Sequence, residues 1–325
     1  MKAIRAEITR TGGPEVIEWR EEELAPPGPG QVTLVQSAVG INYIDTYHRS
    51  GIYPVELPSR LGLEAAGTIA AVGAGVTGFK DGDRVATLGP ERGAYASARN
   101  VAAASLFALP DSINDLTAAA ALLKGATAEF LIERCAKVQP GWPVLVHAAA
   151  GGVGLLLVQW LKQIGATVIG TVGSPAKAET AKAAGADHII LYASEPVAPK
   201  VRELTGGAGV RVTFDGIGMA TWEASLDSTG RRGLVVSYGN ADAPVTGVAL
   251  GQLGTKGSLF ATRPTLFDYY ADPAERAAGA ERIWHMLASG KISVTVGQTW
   301  PLIEAAAAHR ALEARETTGS SLLIP

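Results

Sequence analysis

The residues best placed to do chemistry lie in one stretch, VLVHAAAGGVGLLLVQWLKQIGATVIGTVGSPAK, running from Val144 to Lys177. Val144–His147 read as a strand, and Val153, Leu157, Leu161 and Ile164 recur at helical spacing. Gln159, Lys162 and Gln163 fall on the opposite face, which predicts an amphipathic helix with one side on a sheet. Between strand and helix, Ala149, Gly151 and Gly154 keep the G-x-G-x-x-G spacing of a dinucleotide loop, with alanine at the first position. The first small residue permits a tight turn, Gly151 lets the backbone approach a pyrophosphate, and Gly154 lets helix and strand pack closely. Free N–H groups and the positive end of the helix dipole then face the phosphates. The end of the next strand selects the dinucleotide. A site for NAD carries Asp or Glu there to bind the ribose 2′-hydroxyl. Here Gly170–Lys177 holds no acid but offers Gly173, the Ser174 hydroxyl and the Lys177 cation, which suits a 2′-phosphate. The expected cofactor is NADPH.

Metal chemistry has little to stand on. Cys135 is the only cysteine, so intramolecular disulfides and cysteine-based zinc clusters are excluded. The five histidines are scattered without an H-x-x-x-H pair, and His48, His147 and His188 read first as structural residues.

The elements that must position the loop follow from the 325-residue chain, 47% hydrophobic and 18% charged, a size that suggests two domains. MKAIRAEITR alternates like a strand and holds no apolar signal core. The first third is rich in Gly, Pro and short β-like runs such as QVTLVQSAVGI, EAAGTIAAVG and DRVATLG, with Asp81-Gly82 as a turn. From Asp111 the pattern turns helical, with Asp111 or Ser112 as the expected cap, and a domain boundary is placed near residue 122. Six candidate strands follow, at 144–148, 167–172, 188–192, 210–215, 233–239 and 258–263, most of them separated by helix-length segments. That alternation predicts an α/β class with a parallel, doubly wound, six-stranded sheet. A helix near 274–289, a strand (ISVTVGQTW), a helix at 303–315 and a last strand, SSLLIP, complete the chain. No apolar run is long enough to span a membrane, so a cytoplasmic protein is the default. The net charge of −3 and the absence of a basic stripe give no electrostatic reason to expect nucleic acid.

Several motifs now resemble a known family. Gly62-x-Glu64-x-Ala66-Gly67, Val72-Gly73, Val76 and Gly82-Asp83-Arg84-Val85 resemble the N-terminal signature of medium-chain dehydrogenases/reductases. Ala149-Ala150-Gly151-Gly152-x-Gly154-x4-Gln159-x2-Lys162 is similar to the quinone oxidoreductase/zeta-crystallin signature, with Trp142 as a small departure nearby. GINYIDTYHRSGIYP, FDGIG, RRGLVVSYGN and GSSLLIP are also similar to bacterial NADPH:quinone reductases. The resemblance implies a GroES-like β-barrel catalytic domain, residues 1–122 completed by 264–325, with a Rossmann NADP-binding domain at 123–263. It implies a homodimer, to which the β-rich SLFATR run would add a sheet edge able to pair with its copy. It implies a cofactor in the cleft between the domains, with contacts from Lys124, Gly152, Val153, Tyr192, Gly216, Tyr238, Asn240 and Arg315.

Zinc-containing relatives use Cys and His ligands where this chain has Asn42 and Leu63, and a zinc site needs about three ligands at one point. No metal is therefore expected. Without metal or an acid/base dyad, hydride transfer to a quinone fits, since the acceptor is already electrophilic and the reduced oxygen can take a proton from water. Asn42, Tyr47, Tyr53 and Arg263, from GINYIDTYHRSGIYP and ATRP, are the candidates to orient the acceptor and bind its developing oxyanion. Two other readings stay open. One is an NADPH-dependent enal/enone reductase, and the other a non-enzymatic crystallin or RNA-binding role.

Overall fold

Short apolar runs along the first third of the chain build strands that pair antiparallel in two sheets. The computed structural model describes residues 1–325. β1 (Lys2–Ile8), β2 (Glu18–Glu23), β3 (Gln31–Ile41), α1 (Tyr43–Ser50), β4 (Ser59–Arg60) and β5 (Glu64–Val72) come first. β6 (Arg84–Leu88), β7 (Ala98–Ala102) and β8 (Leu106–Ala108) follow, and Asp81-Gly82 turns the chain between β5 and β6, with Gly82 at φ 86°. The smaller sheet has the order β2-β1-β4. In the larger one, β3 pairs with β5 in a register that sets Gly40 opposite Glu64. That pairing matters for the site.

Helix α2 (Asp115–Glu129) begins later than expected. The cap is Asn114, whose Oδ1 accepts from Thr117 N at 2.8 Å, and neither Asp111 nor Ser112. The displacement comes from a turn in which Ile113 N donates to the Pro110 carbonyl, so helical hydrogen bonding starts only after it.

A second unit, Gly125–Ser293, carries the parallel sheet. Its elements are β9 (Pro143–Val146), α3 (Gly152–Ile164), β10 (Thr167–Val172), α4 (Pro175–Ala183), β11 (His188–Leu191), α5 (Val197–Leu204) and β12 (Val210–Asp215). α6 (Met219–Ser228), β13 (Thr229–Ser237), α7 (Leu250–Thr255), β14 (Phe260–Thr262), α8 (Leu266–Tyr269) and α9 (Pro273–Ala288) follow. The strand order β11-β10-β9-β12-β13-β14, all parallel, is the doubly wound arrangement, and it reverses between β9 and β12. All six expected strands are present. Helix α3 is buried more widely than one amphipathic face would give. Leu155, Leu156 and Trp160 are buried as well as Leu157 and Leu161, and Trp160 Nε1 donates to Glu133 at 2.8 Å.

The chain rejoins the first unit, Met1–Lys124, at Val294, through β15 (Val296–Pro301), α10 (Ala305–Glu313) and β16 (Ser320–Ile324). Leu302, Ala305, Ala308 and Leu323 enter the same apolar core as Ile8, Val39, Ile41 and Leu61, which binds the tail to the N-terminal strands. Residues 264–293, expected with this tail, fall in the second unit. Tyr270 donates to Glu129 at 2.9 Å, Arg282 to Glu133 at 3.0 Å, and Ile283 lies against Gly125. These bonds hold α8 and α9 to the stretch that leaves α2.

Candidate active site

In the second unit the loop after β9 turns on Ala148, which adopts φ 52°. The strained residue is thus one position before the expected Ala149. Ala149 is small for another reason: it is fully buried, and a Cβ on Gly170 of β10 would stand 2.7 Å from its own. A Cβ on Gly154 would fall inside the contact limit of the Ala148 carbonyl oxygen, so glycine is required there. Gly151 is the N-cap of α3, and no side chain caps the helix. The first N–H groups of α3, around Gly152, Val153 and Gly154, therefore point outward without a side-chain acceptor, as an anion requires.

The next strand ends in a second turn. Ser174 caps α4, its Oγ accepting from Lys177 N at 3.4 Å, which leaves the hydroxyl proton to donate. The first turn of α4 contains no acid, and Lys177 is half-buried on it. Tyr192, 47% exposed at the end of β11, brings its hydroxyl over Gly173, where a Cβ would be 2.5 Å from it. A flat ring beside an acid-free turn makes a platform for an adenosine bearing a 2′-phosphate.

The loops after β12 and β13 complete this edge. A Cβ on Gly216 would stand 2.8 Å from the Tyr238 ring, and Tyr238 N donates to the Asp215 carbonyl at 2.8 Å. Asn240 is buried beside them, and Ala241 N reaches the Gly216 carbonyl at 3.2 Å. Beneath lies a network that sequence reading missed. Asp215, fully buried, accepts from Ile217 N (2.9 Å), Gly218 N (3.1 Å), Thr221 Oγ1 (2.9 Å) and Ser225 Oγ (2.6 Å). Because Ser225 gives its one proton to Asp215, His147 donates from Nε2 to Ser225 and accepts at Nδ1 from Thr171. His147 therefore ties β9, β10 and α6 together, and burial lowers its pKa, holding it neutral. Arg263, exposed after β14, donates to the Ser237 carbonyl at 2.9 Å.

The first unit gathers a separate cluster. Asn42 precedes α1 and donates from Nδ2 to Glu64 Oε2 at 2.9 Å. Glu64 Oε1 accepts from Leu123 N at 2.6 Å, and Lys124 Nζ lies 3.5 Å from Oε2. Gly40 makes room for this carboxylate, since a Cβ there would strike both Glu64 and the Ala119 carbonyl. Tyr47 is buried, and its ring meets that of Tyr53 edge-on at 5.2 Å, with His48 at 6.0 Å from Tyr53. Tyr43 is drawn away to donate to the Leu312 carbonyl at 2.9 Å. Arg315 follows α10 at φ 61° and is exposed. The structure thus joins Asn42 with Lys124 through Glu64, and Tyr47 with Tyr53. It places Gly151–Gly154, Gly173, Ser174, Lys177, Tyr192, Gly216, Tyr238, Asn240 and Arg263 in the second unit.

Behind Asn42 runs a buried polar chain. Asp45 Oδ2 accepts from Asn42 N at 2.9 Å and from the Tyr95 hydroxyl at 3.1 Å. Tyr95 Oη lies 2.8 Å from His309 Nε2, and Arg49 donates to His309 Nδ1 at 3.1 Å and to Glu313 at 3.0 Å. Burial pushes Asp45 up to about 7 against the pull of its hydrogen bonds and Lys124. Burial, then the Arg49 charge, lowers His309 from 6.5 to about 3. A histidine depressed in the fold stabilises it fully above its unfolded pKa, and that stability is lost as pH falls toward the folded value. Between pH 6.5 and 4 the denaturation midpoint of the wild type should therefore drop more than that of His309→Gln. Parallel curves for the two proteins would contradict a buried neutral His309.

The second unit fits a dinucleotide phosphate: Gly154 leaves the helix N-terminus open, and Ser174 and Lys177 stand where an acid would repel a 2′-phosphate. No three His, Cys, Asp or Glu side chains are gathered as a metal site. Residues 28–111 match the family described as alcohol dehydrogenase GroES-like domain, and residues 152–271 that described as zinc-binding dehydrogenase. The chain is 48% identical to quinone oxidoreductase of Salmonella typhimurium, over 99% of this chain and 100% of that one. It is 43% identical to 2-haloacrylate reductase of a Burkholderia species, over 98% of each. The structure of Escherichia coli quinone oxidoreductase complexed with NADPH superimposes with a TM-score of 0.97 at 46% identity, covering 99% of this chain and 100% of that one.

Proposed function

This chain belongs to the quinone oxidoreductase family, and from that premise we propose that it is an NADPH-dependent quinone reductase that works without a metal ion. The observation that carries this reading is the open, acid-free cradle from Gly151 to Lys177. NADPH, when bound, supplies the hydride. The N–H groups at Gly152, Val153 and Gly154 hold its pyrophosphate, Ser174 and Lys177 its 2′-phosphate, and Tyr192 flanks the adenine. Gly216, Tyr238 and Asn240, braced by Asp215, shape the opposite end of that edge. Residues of the first unit act on the acceptor: Asn42 orients it, Tyr47 and Tyr53 wall it, and Lys124 adds positive charge. Arg263 and Arg315 add further donors to acceptor and cofactor respectively.

Steady-state assays test this reading with 9,10-phenanthrenequinone and 1,4-benzoquinone beside an enone and a 2-haloacrylate. The quinones should be preferred, and chelators should leave the rate unchanged. The 2-haloacrylate reductase relative keeps reduction of a carbon–carbon double bond as the second reading, and a faster enone reaction would favour it.

The cofactor assignment makes a sharp prediction. A charge-assisted hydrogen bond contributes roughly 1.5–3 kcal/mol. Lys177→Ala should then weaken NADPH by about 10- to 100-fold, while NADH, which lacks the 2′-phosphate, changes little. Comparing kcat/KM for both cofactors in the two proteins checks it. Equal losses would make Lys177 a structural helix residue.

The proposed assembly is a homodimer formed along β14. This strand pairs only with β13 and exposes Phe260 (62%), and Leu250 of α7 is 81% exposed. Sedimentation should show a dimer at micromolar concentration, and a monomer would refute it. No helix is long and apolar enough to cross a membrane. A cytoplasmic location fits a chain whose single cysteine is unpaired, and the net charge of −3 favours small-molecule partners over nucleic acid.

A further inference from the structure

Lys124 is 5% exposed, and its Nζ meets no hydrogen-bond acceptor in the protein. Its nearest counter-charge, Glu64 Oε2, lies 3.5 Å away and accepts from Asn42 Nδ2, while Oε1 accepts from Leu123 N. The carboxylate is packed directly over Gly40, where a Cβ would strike it. Lys124 is thus held by charge while its N–H bonds remain unused. A buried donor without an acceptor destabilises a fold, more so when charged, so such a group points to a role beyond packing. It stands beside Asn42, where the acceptor is oriented in the reading above.

Reduction of a quinone by hydride leaves a phenol-type oxygen bearing negative charge, and that oxygen needs one proton. We propose that Lys124 is the proton donor of the reaction, giving a proton from Nζ to the reduced oxygen of the acceptor. This rests on the quinone reductase reading. The quinone gains the hydride and becomes a hydroquinone monoanion. The Nζ–H bond of Lys124 breaks as the O–H bond of the hydroquinone forms. Lys124 is left as a neutral amine beside the Glu64 carboxylate, and water returns the proton after the product leaves. One hydride and one proton convert quinone to hydroquinone.

The test uses Lys124→Met and Lys124→Arg with two acceptors, 1,4-benzoquinone and tetrachloro-1,4-benzoquinone, whose hydroquinone anion is much the weaker base. At saturating NADPH, kcat with benzoquinone should fall about 100-fold in both variants, at the low end of general-acid effects. With the chlorinated quinone the loss should be several times smaller, because its reduced oxygen can wait for a proton from water. NADPH affinity, read by fluorescence titration without acceptor, should change far less than kcat. Arginine keeps the charge but does not release its proton, so Lys124→Arg separates proton donation from charge stabilisation. It also carries the test if Lys124→Met does not fold. A Lys124→Arg enzyme that reduces benzoquinone at nearly the wild-type rate would overturn the proposal. So would equal losses with both quinones, or a loss confined to NADPH affinity. A wild-type protein inactive with both quinones would instead defeat the quinone reductase reading.

Discussion

Glu64→Ala lowers the stability of the first unit by about 3–5 kcal/mol, the range found when one partner of a buried ion pair is removed. Glu64 is fully buried, and its carboxylate accepts from Leu123 N and Asn42 Nδ2 and is the counter-charge of Lys124 Nζ. Removing it strands a buried ammonium and a buried backbone N–H. Thermal and denaturant unfolding of wild type and variant measure the loss. Glu64→Gln, which keeps an acceptor for at least one of these donors, should destabilise less. A Glu64→Ala protein as stable as wild type would mean that water already serves Lys124 and that the pair is not a buried one.

Gly154→Ala abolishes NADPH binding at ordinary concentrations, with a loss of at least about 100-fold, worth about 2.8 kcal/mol. The added Cβ meets a backbone carbonyl, that of Ala148, and no side-chain rotation relieves it. Either α3 lifts from the loop or Ala148 leaves its φ of 52°, and both displace the N–H groups proposed to hold the pyrophosphate. Fluorescence titration with NADPH measures the effect, and unchanged affinity would show that the phosphates bind elsewhere. Gly151→Ala is the milder companion, because its Cβ would stand 3.2 Å from the same oxygen.

The second unit was the more legible in sequence. Its strands are short apolar runs bounded by turns, and its proposed ligand loop consists of neighbours in the chain, so spacing alone singles out Gly151, Gly154, Ser174 and Lys177 as candidates. Where local reading missed, tertiary packing was the cause. The turn at 110–113 delayed α2 and gave its cap to Asn114, and Tyr270, Arg282 and Ile283 drew 264–293 into the second unit. The cluster of the first unit was hidden for the same reason. Asn42 and Glu64 meet only because β3 and β5 pair, and Lys124 reaches them from a helix begun far along the chain. Asp45, Tyr95 and His309 likewise belong to α1, a loop and α10. One sign was available: Glu64 is a lone acid at the head of the apolar run of β5, and a charge in such a run must be partnered when buried.

Anaerobic stopped-flow mixing of the purified protein with NADPH deuterated at either face of the nicotinamide C4, then with 1,4-benzoquinone, tests the central claim most directly. NADPH absorbance should fall only when the quinone is added, one NADPH per hydroquinone formed, and deuterium on one face alone should slow the reaction. Oxidation that ignores the quinone, or a quinone reduced with no isotope effect on either face while an enone is readily consumed, would contradict hydride transfer from NADPH to a quinone at this site.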